Sequence, residues 1–166
     1  MRTIKIKDVM TPLSDYLTIR EDQPLMDVFQ AIESAGPGAA HRDMVVLDSK
    51  GEFKGKVTMI DIFRTLEPNY QKLNVDYSDG TLTKEDVIRA IQDFNLWMEP
   101  VKTLCERGAA KPVGQVMHRP ETNEFIESDQ SLEKALHQYV MGVHQPLVVT
   151  EGGKVTGLLR FEDLYK

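Results

Sequence analysis

The sequence predicts a mixed α/β (α+β) protein that uses one helix–strand–strand–helix unit twice, with a helical hairpin between the copies. Three observations carry this. Val9-Met10-Thr11 returns as Val116-Met117-His118, and at the same offset, 116 − 9 = 107, the run Ile19 to Leu25 returns as Ile126 to Leu132 without a gap. Further on, Val46 to Gly51 matches Val148 to Gly153 and Gly55 to Asp61 matches Gly157 to Asp163, now at 157 − 55 = 102, so the first copy holds 107 − 102 = 5 extra residues. Self-similarity at a fixed offset marks a structural unit used twice. Within each copy the apolar spacing changes from helical to strand-like, which sets the order of elements.

Each copy begins with a short lead-in segment. In the first, Asp22 is the expected N-cap of a helix whose apolar stripe is Leu25, Val28, Phe29 and Ile32, ended by Gly36-Pro37-Gly38. In the second, Asp129 opens the helix, Leu132, Ala135, Leu136 and Tyr139 form the stripe, and Gly142 closes it. Met44–Leu47 and Leu147–Val149 read as buried strands, each followed by a Gly-containing turn and a second strand, Phe53–Val57 or Val155–Leu159. A last helix follows from Met59 to Leu66, and its counterpart runs about one turn toward Lys166.

The residues between the copies match neither. Asn69 to Gly80 is polar and reads as a loop; Thr83 caps a helix with Asp86 at its third position. Val87, Ile91, Phe94 and Trp97/Met98 would line one face, Pro100 starts a second helix carrying Val101, Leu104 and Cys105, and Gly108 ends it. Such a stripe is expected to be core or dimer surface rather than a cofactor box.

Composition narrows the function. Apolar residues make up 41% and charged residues 28% of the 166, the profile of a globular chain. The formal charge is 20 − 26 = −6, which argues against a broad nucleic-acid-binding surface. No apolar run approaches the roughly 18 residues of a membrane span, and Met1 to Asp8 lacks the apolar core of a signal peptide, so a cytoplasmic protein without membrane contact is expected. Cys105 is alone, and no closely spaced Cys/His set offers a metal cage, so no metal is expected. There is no Gly-x-x-x-x-Gly-Lys loop and no pairing of nucleophile with base, hence no catalytic residue, no catalytic cofactor and no enzymatic activity in the expectation.

The lead-in Asp8-Val9-Met10-Thr11, the helix start Asp22-Gln23-Pro24-Leu25 and the Gly-x-x-x-Gly-x-Val-Thr-x-x-Asp run from Gly51 to Asp61 together resemble the CBS domain, and the second copy resembles it too. The resemblance implies two β-α-β-β-α repeats, 3–67 and 110–166, packed through their sheets as a Bateman module, with 68–109 inserted as a loop and helical hairpin. It also implies association into a homodimer and a regulatory role without chemistry: sensing an adenine nucleotide such as AMP, ADP or ATP and signalling to a partner protein that the sequence does not identify. A ligand-independent dimerisation scaffold and a module for S-adenosylmethionine are the alternatives.

The family pattern also implies a set of ligand-binding residues. Thr58 and Asp61 open the last helix of the first copy, where the carboxylate would accept from ribose hydroxyls and the helix N-terminus would meet phosphate. The same Thr-x-x-Asp is also a capping box that needs no ligand. The second copy keeps Asp163 but has Arg160 in place of the threonine, and that arginine either takes a phosphate or pairs with Asp163 and blocks the cleft. Each cleft would be completed by the other copy's lead-in. Thr58 and Asp61 would face His118 to Ile126, with Thr122 and Glu124 nearest; Asp163 would face Thr11, Pro12 and the chain up to Leu17. His41 and His144, preceding the first strands, would border the clefts and meet phosphate when protonated, with an exposed loop position as the alternative for each.

Overall fold

A computed structural model describes residues 4–37, 42–72 and 83–165. The first repeat contributes β2 (Thr18–Arg20), α2 (Leu25–Ala35), β3 (Met44–Leu47), β4 (Phe53–Val57) and α3 (Met59–Leu66), after a lead-in of α1 (Ile6–Val9) and β1 (Thr11–Pro12). The second contributes β5 (Phe125–Glu127), α6 (Leu132–Val140), β6 (Leu147–Glu151), β7 (Lys154–Leu159) and a closing 3-10 turn, Phe161–Tyr165. Between them stand α4 (Lys84–Asp93) and α5 (Val101–Gly108). The repeat is thus β-α-β-β-α, and its first strand, too short for a periodicity argument, runs parallel to the second while the hairpin is antiparallel.

One sheet has the order β2-β3-β4; the other is β1-β7-β6-β5, so the lead-in strand of the first copy joins the sheet of the second. The exchange is reciprocal. The Ile6 and Lys7 amides donate to the Gln130 and Ser128 carbonyls at 3.0 and 2.9 Å, and the Val113 and Gly114 amides donate to Gln23 and Glu21, both at 2.8 Å. Thr11 pairs with Leu158, and His118 pairs with Lys56. The side chains follow the backbone. Ile6 is buried among Ile126, Ala135 and Leu159 of the second repeat, while Val113, Val116 and Met117 are buried among Ile19, Val28 and Ile62 of the first. Tyr16, Val45, Val148 and Leu158 form the layer where the two sheets meet.

This backbone crossing requires glycine at two related places. A Cβ at Gly55 would stand 2.5 Å from the His118 carbonyl oxygen, and one at Gly157 would stand 2.5 Å from that of Thr11.

Several local expectations are corrected. The N-caps of α2 and α6 are Pro24 and Ser131, not Asp22 and Asp129. Arg20 draws Asp22 into an exposed ion pair at 2.6 Å, so the carboxylate faces away from the helix start. The stripe of α4 does not continue to Trp97, because the helix ends at Asp93 and the backbone turns left-handed at Asn95 and Trp97, with φ of 51° and 57°. Val87, Ile88 and Ile91 lie exposed. Trp97 instead packs edge-on against Phe63 and Tyr70, with its amide and indole N–H donating to Glu67 and Tyr70. Gly108 is the last residue of α5, which is capped by Ala109. Most of the expected loop from Asn69 to Gly80 lies outside the described residues.

Candidate functional site

The start of α3 is fixed by its own sequence. The Thr58 hydroxyl oxygen accepts from the Asp61 amide at 3.3 Å, and Asp61 Oδ2 accepts in return from the Thr58 amide at 2.9 Å and hydroxyl at 2.7 Å, a complete capping box. Asp61 Oδ1 points across the seam to His144 Nε2 at 3.0 Å. Burial pushes the Asp61 carboxyl up, but the bonds from His144 and Thr58 outweigh it and hold it below the usual carboxylate value.

His144 lies face to face with His118, ring centroids 3.7 Å apart and planes 3° from parallel. His118 Nε2 in turn meets both oxygens of buried Glu124 at 2.7 and 2.8 Å. Beneath them lies Lys56, which is fully buried. Its ammonium donates to the His144 carbonyl at 2.9 Å and to the Pro146 carbonyl, and stands 3.8 Å from Glu124. Burial lowers the lysine to about 8, against the opposing pull of Glu124, Asp61 and Asp43.

The second copy's seam is built differently. Asp163, fully buried, accepts from the Arg160 amide at 2.9 Å, which is the half of the capping box that survives without a threonine hydroxyl. A 3-10 turn rather than an α-helix follows. The Arg160 guanidinium crosses to Asp43 and to the Tyr16 hydroxyl of the first repeat, and also holds Glu162 at 2.6 Å. Burial, with Asp43 adding to it, raises the Tyr16 hydroxyl well above its ordinary value.

A cavity of about 610 Å³ opens between these two constellations, lined by Arg42, Asp43, Thr58, Pro146, Arg160 and Glu162 among others. Its wall therefore takes residues from both repeats, including both positions aligned at the Thr of Thr-x-x-Asp. A second, mostly apolar hollow of about 450 Å³ lies outside the seam between Phe63, Tyr70, Trp97 and Val101.

Of the sequence-predicted site residues, Thr58, Asp61, Glu124 and His144 are brought to one seam, and Arg160 and Asp163 to the other. Thr11 and Pro12 reach the second seam through β1, paired with Leu158 and Gly157. Leu17 packs against the core of its own repeat, and Thr122 is exposed on a 3-10 turn. Of the turn Thr122–Glu124, Glu124 is the buried residue. His41 lies outside the described residues. His144 is three-quarters or more buried, so its exposed-loop alternative does not hold.

Lys56 and Asp43 are absent from the expected set, and His118 and Tyr16 enter it only as members of the facing segments. A lysine in the strand Phe53–Val57 reads as a solvent-facing residue. The signal lay in the alignment of the copies, which sets Lys56 against Leu158, 158 − 56 = 102. Asp61, His118 and His144, far apart in sequence, bring one possible ligand atom each to within 4.8 Å of one another.

Two strand-exchanged β-α-β-β-α repeats around a shared cleft define a paired-domain module of the Bateman kind. The CBS domain family model matches residues 6–68 and 113–166, and the chain belongs to that family. No curated protein matches it significantly. Among solved structures it is similar to a CBS domain-containing protein of unknown function from Bacillus anthracis str. Ames Ancestor, at 19% identity and a TM-score of 0.61, over 98% of this chain and 90% of that one. It is also similar to CBSX2 in complex with AMP, at 17% identity and a TM-score of 0.59 over 97% and 93% of the two chains. The CBS domain of a bacterial CNNM/CorC family Mg2+ transporter in complex with ATP gives 15%, 0.58, 97% and 84%. At these identities the likeness is one of fold. No helix among the described residues is long and apolar enough to cross a membrane.

Proposed function

We infer that the protein is a regulatory module, 3–67 and 110–166 with an inserted 68–109, that binds an adenine nucleotide at the seam and passes its occupancy to a partner without catalysing a reaction. The observation that carries this is the cavity of about 610 Å³ whose wall joins Thr58 at the start of α3 to Arg42 and Arg160. Its volume suits a nucleotide-sized ligand. The cationic side chains suit phosphate, the amides at the start of α3 add donors, and Asp61 beneath Thr58 is the acceptor for ribose hydroxyls. In the bound state ribose replaces His144 as the partner of Asp61 Oδ1. Two proteins of the same fold were solved with AMP and ATP, which supports the same ligand class here.

A ligand that binds only the folded state raises stability with concentration. Thermal unfolding in the presence of AMP, ADP, ATP, S-adenosylmethionine and NAD is the test, with a concentration-dependent rise expected for adenine nucleotides. A rise with S-adenosylmethionine alone moves the reading to that alternative, and none with any ligand leaves a ligand-independent scaffold. Self-association is part of the same reading. Val87, Ile88 and Ile91 of α4 are exposed and unpartnered among the described residues, and light scattering is expected to give twice the 18.9 kDa chain mass.

A further inference from the structure

We propose that Asp61, His118 and His144 form a binding site for a divalent transition-metal ion of the zinc type. The site is distinct from the nucleotide reading and stands whether or not a nucleotide binds, although the two share Asp61.

The donor set sets the metal class. Two imidazoles and one carboxylate suit Zn2+, Co2+, Ni2+ or Fe2+, whereas Mg2+ and Ca2+ prefer all-oxygen shells. Ligands about 2.0–2.2 Å from one ion lie about 3–3.5 Å apart. The pair Asp61 Oδ1 and His144 Nε2 already stands at 3.0 Å, and the third ligand atom lies within 4.8 Å of both.

The surroundings favour the ion. His118 Nε2 meets both oxygens of Glu124, so the tautomer in which Nε2 donates to that carboxylate leaves the lone pair on Nδ1. A histidine whose second nitrogen donates to a carboxylate is the usual arrangement around a bound metal, because it fixes the tautomer and raises the basicity of the ligating nitrogen. His144 Nδ1 is buried without a hydrogen-bond partner, so this imidazole has only one of its nitrogens engaged. Two buried carboxylates, Asp61 and Glu124, lie beside the buried Lys56, with Glu124 at 3.8 Å from its ammonium.

The present geometry also says what must move. Parallel rings 3.7 Å apart direct their lone pairs side by side, so loading requires the imidazoles to tilt toward a common point. The bound ion would then tie the start of α3 in the first repeat to the lead-in and the pre-β6 loop of the second, a strap across the seam. Because Asp61 Oδ1 is taken by the ion, metal and ribose compete for it.

Titration of chelator-treated, nucleotide-free protein with Co2+, followed by visible absorption and then by displacement with Zn2+, tests this. One ion per chain with d–d bands is expected, and excess Mg2+ leaves the bands unchanged. His118→Asn and His144→Asn, checked for folding by circular dichroism, each lose more than about the 10- to 100-fold that removing an outer partner costs, and Glu124→Gln loses about that much. His137→Asn, an exposed histidine on α6, binds as the parent does. Absence of stoichiometric uptake, or parental affinity in folded His144→Asn, overturns the proposal. Since no nucleotide is present, that failure leaves the nucleotide reading untouched.

Discussion

The two seams of the module are related by the repeat yet solved with opposite chemistry. At the first, Lys56 is fully buried and faces Glu124. At the aligned positions stand Leu158, also fully buried, and Leu17, half-buried against the core of its own repeat, by 158 − 56 = 102 and 124 − 17 = 107. One copy thus fills the contact between sheets with a hydrophobe and the other with an ion pair that must be fully hydrogen-bonded to be tolerated. The reverse holds at the helix starts, where the first copy has a neutral Thr58 capping box and the second a guanidinium reaching across to Asp43. Duplication preserves the backbone crossing, down to the glycine each copy needs, while the polar groups divide between the seams: partly buried histidines and a buried lysine at one, arginine at the other. A pseudo-symmetric frame therefore carries two different sites.

The sharpest way to break this comparison is to give the first seam the chemistry of the second. Lys56→Met leaves the His144 and Pro146 carbonyls without their donor and buried Glu124 without its cation, and urea unfolding is expected to show a loss of about 3–5 kcal/mol. Adding Glu124→Leu, which makes both aligned positions apolar as in the other copy, recovers most of it. A single variant as stable as the parent would mean that the pair contributes nothing.

The same lysine predicts a pH signature. In the unfolded chain it holds its proton up to its ordinary value of 10.5, and in the folded protein only to about 8. Between these the unfolded state binds more protons, so this group makes stability rise with pH, by an amount on the order of 2–3 kcal/mol. Tyr16 and Tyr139, both raised by burial, work the other way above about pH 10, where only the unfolded phenols ionise. The difference between parent and Lys56→Met across pH 7–10.5 isolates the lysine; a flat difference contradicts its burial as a strained cation.

Arg160→Thr restores the threonine of the first copy to the second. If the guanidinium meets phosphate, calorimetry will show ATP weakened most and adenosine least, by about 1.5–3 kcal/mol for ATP. A doubled stoichiometry would instead show that Arg160 was closing a second site. The smallest effects belong to the crossing itself. Gly55→Ala and Gly157→Ala each set a Cβ against a backbone carbonyl, and similar losses of about 1–3 kcal/mol are expected from both.

The frame was legible because it repeats. An offset of 107 located the lead-ins and the first helices, one of 102 located the hairpins, and the spacing of Thr58 and Asp61 announced a cap that the structure contains. The short strands Thr18–Arg20 and Phe125–Glu127 were not legible, since three residues carry no period. The candidate site was half legible. Asp61 and His144 are 83 residues apart and His118 stacks on the latter, so only the folded seam reveals that they meet. Local patterns likewise favoured Asp22 as a cap, until Arg20 two residues earlier claimed its carboxylate.

An adenine nucleotide bound as proposed in the seam has its ribose on Asp61. Isothermal titration of AMP and ATP into the parent and Asp61→Ala, with folding of the variant checked by circular dichroism, tests it most directly. The account predicts saturable binding to the parent and a loss of about 1–3 kcal/mol in the variant, roughly 5- to 150-fold in affinity. Equal affinity in the two proteins, or no binding to the parent, would contradict it.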